Sequence, residues 1–276
     1  MLSYFKKSFA RKRARRIFQK YGYRVDKFRL KNNEEVEYAN WLNPLITPKT
    51  ITQHEVDFFR QYIREGSFVV DIGANTGDLT VSMSIAAGGS GLVLALDPNP
   101  HVYAILEANA KLNEGKANIV PLQLAASDKE TAFYYASSEA SMSNGGLIQD
   151  LSDNRHGKYK LEDPIKGVHL GDYLLTHYAA WLPKLSLIKT DTEGLDFEVL
   201  KTLEVVLEKY HPVVISEIFH DMSAETREGI FNLFKKYNYT IVNAGFMHTE
   251  EPLVIRPVNV KEDMPKAGVT ENIIAY

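Results

Sequence analysis

The chain has 276 residues, of which 45% are hydrophobic, and a formal net charge of −3 at pH 7. This composition is sufficient for a buried core, and an α/β domain of about 220–250 residues fits within the length. The absence of cysteine excludes disulfides, thiolate metal ligands and a thiolate nucleophile, and it is compatible with a reducing cytosol. Because no apolar run reaches membrane-spanning length and no secretory signal pattern is present, we expect a cytoplasmic protein.

The N-terminus differs in charge from the remainder. Residues 1–24 contain nine Lys or Arg and no acid, which leaves 23 basic and 35 acidic residues, or −12, for the rest. We expect a basic, helical N-terminal extension over residues 1–49 and one catalytic domain over residues 50–276. Residues 1–24 either contact an anionic membrane, at its inner face, or dock on the domain. The acidic body argues against binding of nucleic acid.

The first motif follows an apolar strand, where residues 69–77 read Val-Val-Asp-Ile-Gly-Ala-Asn-Thr-Gly. Gly73 and Gly77 permit a sharp turn and the close approach of a flat ligand. Neither the dinucleotide glycine triad nor the P-loop fits residues 71–80, so a phosphate cradle is not expected. The acid Asp71 instead suits a cationic or amine-bearing ligand. The motif predicts a nucleotide-like cofactor at this strand end, and an ordinary strand, turn and helix is the alternative.

A second acid stands at the end of the next strand. Residues 78–87 predict a buried helix, and residues 92–96 form an apolar run of strand length that leads into Asp97. An acid about 20 residues beyond a glycine turn commonly accepts hydrogen bonds from ribose hydroxyls, in nicotinamide and adenosyl cofactors alike. We therefore expect Asp97 to contact a ribose, the alternative being a loop aspartate before a proline turn.

The remaining pattern alternates helices and strands, which predicts an α/β, doubly wound, mostly parallel sheet. Residues 137–167 lack periodicity and are rich in Ser, Asn and Gly, so we expect a long substrate loop, with a disordered insertion as the alternative. Helices are predicted at 50–65, 100–113, 195–210 and 224–236, and extended segments at 118–124, 133–135, 185–191, 213–215, 239–242 and 272–276.

Four ordered motifs resemble those of FkbM-type S-adenosylmethionine-dependent methyltransferases; they lie at residues 71–77, 96–100, 124–128 and 188–194. The resemblance covers about residues 50–220. It implies a class I methyltransferase with a Rossmann-like, seven-stranded sheet, a closing antiparallel strand at 272–276, and S-adenosylmethionine as cofactor. The chain departs from the family at Asp97, where Glu is usual, and at Leu195, where Ala is usual.

The cofactor carries a sulfonium cation and an α-amino group, so acids near its methionine end would stabilise binding. Asp71 and Asn75 fit that end, Asp97 the ribose, and Ser127 with Asp128 the adenine edge. The cofactor-binding residues that the resemblance implies are Asp71, Gly73, Asn75, Gly77, Asp97, Pro98, Asn99, Ser127, Asp128 and Asp191.

Lys189, Asp191 and Glu193 are the candidates for catalysis, because they cluster at the carboxyl end of the strand at 185–191. The resemblance makes Asp191 and Glu193 site residues but leaves open which is the general base. Alternatively, both acids only stabilise the start of the next helix, for which we expect Thr192 as N-cap. Glu217 is a weaker candidate, and His169 and His220 are alternative bases.

The sequence thus predicts methyl transfer to a hydroxyl of a carbohydrate, glycolipid or secondary metabolite, so that the partner is a small-molecule or glycan acceptor. Residues 189–193 stand where base-methylating enzymes carry an Asn/Asp-Pro-Pro-Tyr motif, which argues against amino methylation. Asp172, Asp191 and Glu217 lack a diagnostic metal spacing, so no metal is predicted. The alternatives are a nicotinamide-dependent oxidoreductase and a non-catalytic, membrane-associated protein on a degenerate methyltransferase fold.

Overall fold

The computed structural model describes residues 2–31, 34–245 and 254–276, with side chains from residue 6 onward. Met1 and residues 32–33 of the predicted extension, and residues 246–253 of the predicted catalytic domain, lie outside the described residues. Among the described residues, no helix combines the length and the apolar composition that crossing a bilayer requires.

The elements follow one another in chain order as α1 (Leu2–Arg16), β1 (Tyr23–Arg29), β2 (Glu35–Trp41), α2 (Gln53–Phe59), β3 (Phe68–Ile72), α3 (Asp78–Ala87), β4 (Leu92–Leu96), α4 (Pro100–Ala110), β5 (Ile119–Leu122), β6 (Ala125–Ser127), β7 (Thr131–Ser137), β8 (Gly146–Ile148), β9 (Tyr159–His169), α5 (Leu170–His177), β10 (Leu185–Thr190), α6 (Asp196–Thr202), α7 (Glu204–Tyr210), β11 (Val213–Ile218), α8 (Ala224–Lys236), β12 (Ile241–Gly245), β13 (Arg256–Val258) and β14 (Glu271–Ala275).

The main sheet has the order β13-β12-β14-β11-β10-β3-β4-β5. The strands from β11 to β5 pair in parallel, and β14 pairs antiparallel with both β11 and β12. The predicted antiparallel strand at 272–276 is therefore confirmed. The predicted number of seven strands is wrong by one in the described part of the chain, because the short β13 extends the sheet beyond β12. Its three residues, which include Pro257 on an edge strand, are too few to give a periodic signal.

Both faces of the sheet are covered by helices. Val70 and Leu94 point into a core formed with α5 to α8, while Val69 and Val93 point into a second core formed with α2, α3 and β2. Side chains alternate between the two faces of a strand, so a strand buried on both faces is apolar throughout. This is why the central strands read as continuous apolar runs in the sequence.

Residues 23–41 correct the prediction of a helical extension over residues 1–49. Among the described residues of this range, α1 is the α-helix, and β1 and β2 form an antiparallel hairpin. The hairpin packs on α4, where Asn109 Oδ1 accepts a hydrogen bond of 2.6 Å from the Ala39 amide and Asn113 Oδ1 one of 2.7 Å from the Glu37 amide. These long-range side-chain contacts stabilise strands that their own mixed polar sequence does not indicate.

Residues 137–167 correct the prediction of a long loop. They contain β8 and most of β9, which join β6 and β7 in a second sheet of order β6-β9-β7-β8. β9 is half exposed and carries several charged residues, so it lacks the apolar alternation that predicts a strand.

Several predicted helices are present in the structure, and some of them begin or end at other residues than predicted. α8 has the predicted range, whereas the predicted helix at 195–210 is divided at Leu203 into α6 and α7. α2 is shorter than predicted and begins with a capping box in which Thr52 Oγ1 accepts a hydrogen bond from the Glu55 amide. Thr192 is not the N-cap of α6, since Leu195 occupies that position without a side-chain cap.

Candidate active site

A cavity of about 610 Å³ opens at the carboxyl ends of β3, β4 and β10. The chain passes from β3 to β4 and β5 on one side and returns to β10 on the other, so the cavity lies at the topological switch point where α/β sheets bind ligands. We call one side the strand-tip wall; it comprises Gly73, Asn75, Asp97, Pro98, Asp191, Glu193 and Gly194. The other side, the second-sheet wall, includes Phe133, Tyr135, Ser143, Asn144, Gly146, Gln149, Arg155 and His156.

The turn after β3 brings three strands into contact. The amides of Gly73 and Ala74 both donate to the Leu96 carbonyl at 2.9 Å. Gly73 has a φ of +75°, and a Cβ at this position would stand 1.8 Å from the Asp191 carbonyl oxygen. Only glycine therefore permits the turn to pass this close to the end of β10.

Asp97 occupies the tip of β4. Its carboxylate accepts hydrogen bonds from the backbone amides of Asn75 at 3.0 Å and Asn99 at 2.9 Å. Burial raises the pKa of Asp97 to about 7, although these hydrogen bonds oppose the shift. The turn after β3 is thus fixed to the acid at the tip of β4.

A buried ionic group lies beside the cavity. Lys189 Nζ is 3.2 Å from Asp191 Oδ2 and 3.6 Å from Asp71 Oδ1. Burial opposes the charge on Lys189, but the two carboxylates outweigh it and raise the pKa of Lys189. Burial raises the pKa of Asp71, whose Oδ2 accepts a hydrogen bond of 2.6 Å from Thr80 Oγ1. Asp71 Oδ1 is buried and has no hydrogen-bond partner among the described residues.

The loop after β10 turns on two residues with left-handed backbone, Glu193 with φ of 53° and Gly194 with φ of 108°. Asp196 holds this loop: its carboxylate accepts hydrogen bonds from Thr190 Oγ1 at 2.6 Å and from the Thr192 amide at 3.1 Å. Burial raises the pKa of Asp196 to about 6. The loop is thereby fixed so that the exposed side of Glu193 lies on the cavity.

The carboxyl of Glu193 lies on the cavity and has a raised pKa. Partial burial is the largest cause of the shift, and repulsion from Asp191 and Asp196 adds to it. On β11, the pKa of Glu217 is raised to about 8, mainly by burial, and charge repulsion from Asp191 contributes to this shift. Glu217 does not line the cavity, and its Oε2 has no hydrogen-bond partner within the described parts of the chain.

Of the predicted site residues, Gly73, Asn75, Asp97, Pro98, Asp191 and Glu193 line the large cavity, and Asp71 and Lys189 line a smaller one beside it. Four others are placed elsewhere. Gly77 caps α3 with a φ of 91°, and Asn99 caps α4 while its Nδ2 donates to the Met142 carbonyl at 2.8 Å. Ser127 bonds to Asp128, and neither lines the cavity as the structure describes it. Its lining residues near β6 are Leu124, Ala125 and Ala126.

The alternative bases are engaged in local contacts. His169 caps α5, and its Nδ1 accepts a hydrogen bond from the Asp172 amide at 3.3 Å. His220 Nδ1 is 3.2 Å from Thr270 Oγ1. The described residues contain no group of three or more His, Cys, Asp or Glu side chains that could hold a metal ion.

Sequence reasoning predicted that residues 137–167 contact the substrate, and six of the eight named residues of the second-sheet wall lie there, but it named none of their side chains as a site residue. Burial lowers the pKa of His156, so this imidazole is neutral at pH 7, and its ring packs on Gly146. Burial raises the pKa of Tyr135, and repulsion from Asp97 and Glu193 raises it further. Strand alternation around Tyr135 gave a weak signal, but nothing in the sequence placed His156 opposite the strand tips.

The geometry fits an amine-bearing, ribose-containing ligand. Asp71 Oδ1, which is buried and accepts no hydrogen bond within the described part of the chain, suits an amine donor beside its ion pair with Lys189, and Asp97 presents a carboxylate at the tip of the neighbouring strand. A cradle of successive backbone amides for a pyrophosphate would require the glycine triad, which residues 71–80 lack. The fold and the site together define an α/β protein whose cavity, at the switch point of the sheet, fits a nucleoside-type cofactor.

A family model, the methyltransferase FkbM domain, matches residues 71–246. This range exceeds half of the chain, and the chain therefore belongs to the FkbM methyltransferase family, with S-adenosylmethionine as its cofactor. No curated protein sequence matches the chain.

Solved structures give distant likenesses. The methyltransferase FkbM from Methylobacillus flagellatus KT aligns with a TM-score of 0.48 and 11% identity over 81% of this chain and 51% of its own, so the chain spans about half of that protein. An S-adenosylmethionine-dependent O-methyltransferase from Thermotoga maritima gives 0.43 and 11% over 91% and 76%. Fibrillarin from Aeropyrum pernix, with natively bound S-adenosyl-L-methionine, gives 0.42 and 11% over 91% and 94%. The family assignment rests on the matched domain.

Proposed function

We propose that the protein transfers the methyl group of S-adenosylmethionine to a hydroxyl of a carbohydrate, glycolipid or secondary metabolite. One observation carries this proposal: Glu193, whose pKa is raised, lines a cavity whose other wall has the exposed polar side chains of Asn144, Gln149 and Arg155. A carboxylate with a raised pKa is a stronger base than an ordinary one, which suits removal of a proton from a hydroxyl.

Different residues of the chain have different roles in the proposed reaction. S-adenosylmethionine supplies an electrophilic methyl group on a sulfonium. Asp71 and Asn75 would bind the methionine end, and Asp97 would bind the ribose. Glu193 would accept the proton that the acceptor hydroxyl loses when its oxygen is methylated. Asp191 holds Lys189 by their 3.2 Å ion pair.

The acceptor class is supported by the second-sheet wall. Asn144, Gln149 and Arg155 are exposed there and offer amide and guanidinium groups. Sugar hydroxyls bond well to such groups, and aromatic rings such as Phe133 and Tyr135 supply apolar contact for a ring face. His156, which is neutral at pH 7, is a second candidate base on this wall.

A cofactor-consumption screen against glycans, glycolipids and small hydroxylated metabolites, with products located by mass spectrometry, tests the proposal. Glu193→Gln is expected to lose on the order of 10²–10⁴-fold in turnover while S-adenosylhomocysteine still binds. His156→Gln, the comparison on the opposite wall, is expected to retain turnover within tenfold. A product methylated on nitrogen, or full turnover by Glu193→Gln, would contradict it.

We also propose a peripheral contact of residues 1–24 with an anionic membrane. Around α1, Phe9, Ile17 and Phe18 are 71%, 54% and 53% exposed, and the basic side chains from Lys6 to Lys20 are exposed. Exposed aromatic and basic residues on one helix are typical of interfacial helices. The other side of α1 is fixed to the body, since Ala14 is buried and its carbonyl accepts a hydrogen bond from the Ser141 amide. A lipid-linked acceptor would then lie close to the second-sheet wall.

Sedimentation with vesicles that contain a quarter phosphatidylglycerol tests this contact. Replacing α1 residues Lys6, Lys12, Arg13 and Arg16 by Gln is expected to abolish binding, and raised salt to weaken it. A matched control replaces the exposed Lys111, Lys129, Lys184 and Lys209. Equal loss in both variants, or no binding by the unmodified protein, would reject the contact.

A further inference from the structure

A second cavity, of about 80 Å³, adjoins the large one. Gly73, Asn75 and Asp191 line both. Since one water occupies about 30 Å³ of liquid, the space suits a group of a few heavy atoms. Its charged lining has both signs and consists of Asp71, Asp78 and Asp191 with Lys49 and Lys189.

Lys49 reaches this cavity from outside the family-matched residues. It lies between β2 and α2, and its Nζ is 2.7 Å from Asp78 Oδ2 at the start of α3. Asn40 of β2 fixes the Lys49 backbone: its Oδ1 accepts from the Lys49 amide at 2.7 Å, and its Nδ2 donates to the Lys49 carbonyl at 2.9 Å. The hairpin therefore determines where this ammonium lies.

The two lysines of the cavity differ in what they can still bind. Lys189 is buried between the carboxylates of Asp191 and Asp71. The Lys49 side chain is 39% exposed, and Asp78 is its one partner among the contacts of the described residues. An ammonium has three N–H donors, so Lys49 keeps donors for a ligand.

We propose that Lys49 binds the carboxylate of the methionine moiety of S-adenosylmethionine, while Asp71 Oδ1 accepts from its ammonium group. This inference rests on the proposed binding of the methionine end at Asp71. An aminocarboxylate is a zwitterion, so it requires a cationic donor and an anionic acceptor in one small space. Lys49 supplies the donor, and Asp71 Oδ1, which accepts no hydrogen bond from the described residues and is 3.6 Å from Lys189, supplies the acceptor. The N-terminal hairpin thereby completes the cofactor site of the matched domain.

Calorimetry with two ligands tests this role without turnover. S-adenosylhomocysteine carries the aminocarboxylate, whereas 5′-methylthioadenosine lacks it and retains the adenosine. Lys49→Met is expected to weaken binding of S-adenosylhomocysteine about tenfold or more, the range of a charge-assisted hydrogen bond. Binding of 5′-methylthioadenosine should change less than twofold. Lys49→Arg should restore S-adenosylhomocysteine to within threefold of the original Kd.

Lys31→Met is the matched control, because Lys31 on the same N-terminal segment forms an ion pair of 2.8 Å with Asp57. It should leave both Kd values unchanged. If Lys49→Met does not fold, the double variant Lys49→Met with Asp78→Asn removes the unpaired carboxylate and carries the same expectation.

Equal weakening of both ligands by Lys49→Met, or no change in either, would overturn the role of Lys49 while the unmodified protein still binds both. If the unmodified protein binds neither ligand, the cofactor site itself is wrong and this inference falls with it.

Discussion

The strand-tip wall and the second-sheet wall face the same cavity but are built differently. Gly73, Asp97 and Asp191 are held by backbone hydrogen bonds that join β3, β4 and β10. On the second-sheet wall, Asn144 and Arg155 are exposed. The first wall is therefore part of the folded core. The exposed side chains of the second-sheet wall can vary at small cost, whereas Phe133 and Tyr135 of the same wall are buried. Substitutions should therefore separate the walls by their effect on stability.

The largest effect is expected for Gly73→Ala. The new Cβ would overlap the Asp191 carbonyl in a left-handed backbone, so we expect a loss of about 4 kcal/mol or more and no cofactor binding. Gly115→Ala is the control, because its φ of +78° is similar but nothing lies within 4 Å of the added Cβ. Denaturant unfolding measures both. Equal losses in the two variants would show that the close approach to Asp191 is unimportant.

Lys189→Met should have the next largest effect. It leaves the carboxylate of Asp71 buried without its cation, and breaking a buried pair in this way costs about 3 kcal/mol. The exposed pair of Lys236 with Glu204 provides the comparison, and Lys236→Met should cost much less stability than Lys189→Met. If chemical denaturation gives the same loss for both variants, the buried group does not stabilise the strand-tip wall.

A pH-dependent effect is expected for Glu217→Gln. The pKa of Glu217 in the folded protein, about 8, exceeds its ordinary value of 4.5. The folded state therefore holds the proton more tightly, and stability falls as pH rises from 4.5 to 8 and levels off above it. Glutamine removes this titration, so the variant should gain on the order of 2 kcal/mol relative to the original protein between pH 5 and pH 9. Parallel stability curves over this range would contradict the raised pKa.

The smallest effect is expected for Arg155→Gln on the second-sheet wall. Arg155 pairs with Asp153 at the surface, so its replacement should leave the free energy of unfolding almost unchanged. The Kd of S-adenosylhomocysteine, measured by calorimetry, should change less than twofold. A loss of stability as large as that of Lys189→Met would contradict the proposed difference between the two walls.

The strand-tip wall could be predicted from the sequence for a physical reason. Strands buried on both faces are apolar throughout, so β3 and β4 were recognisable and Asp71 and Asp97 stood out at or near their ends. Parallel strands bring their carboxyl ends to one edge, and this predicted that Asp191 and Glu193 would lie there as well. Asn99 and Ser127 also lie near the carboxyl ends of strands, but their side chains form hydrogen bonds with other residues of the chain and do not line the cavity.

The remainder depends on contacts between distant residues. β9 has a half-exposed, charged sequence and becomes a strand only beside β6 and β7, so His156 could not be placed. The hairpin of β1 and β2 depends on Asn109 and Asn113, which lie 70 and 76 residues from their partners, and Lys49 meets Asp78 through it. Local periodicity contains no information on such contacts.

The most direct test of the account is calorimetric titration of the unmodified protein and Asp71→Asn with S-adenosylhomocysteine and with NAD. The account predicts that one S-adenosylhomocysteine binds per chain, that NAD does not bind, and that Asp71→Asn weakens S-adenosylhomocysteine at least tenfold. Binding of NAD in its place, or equal S-adenosylhomocysteine binding by Asp71→Asn, would contradict it.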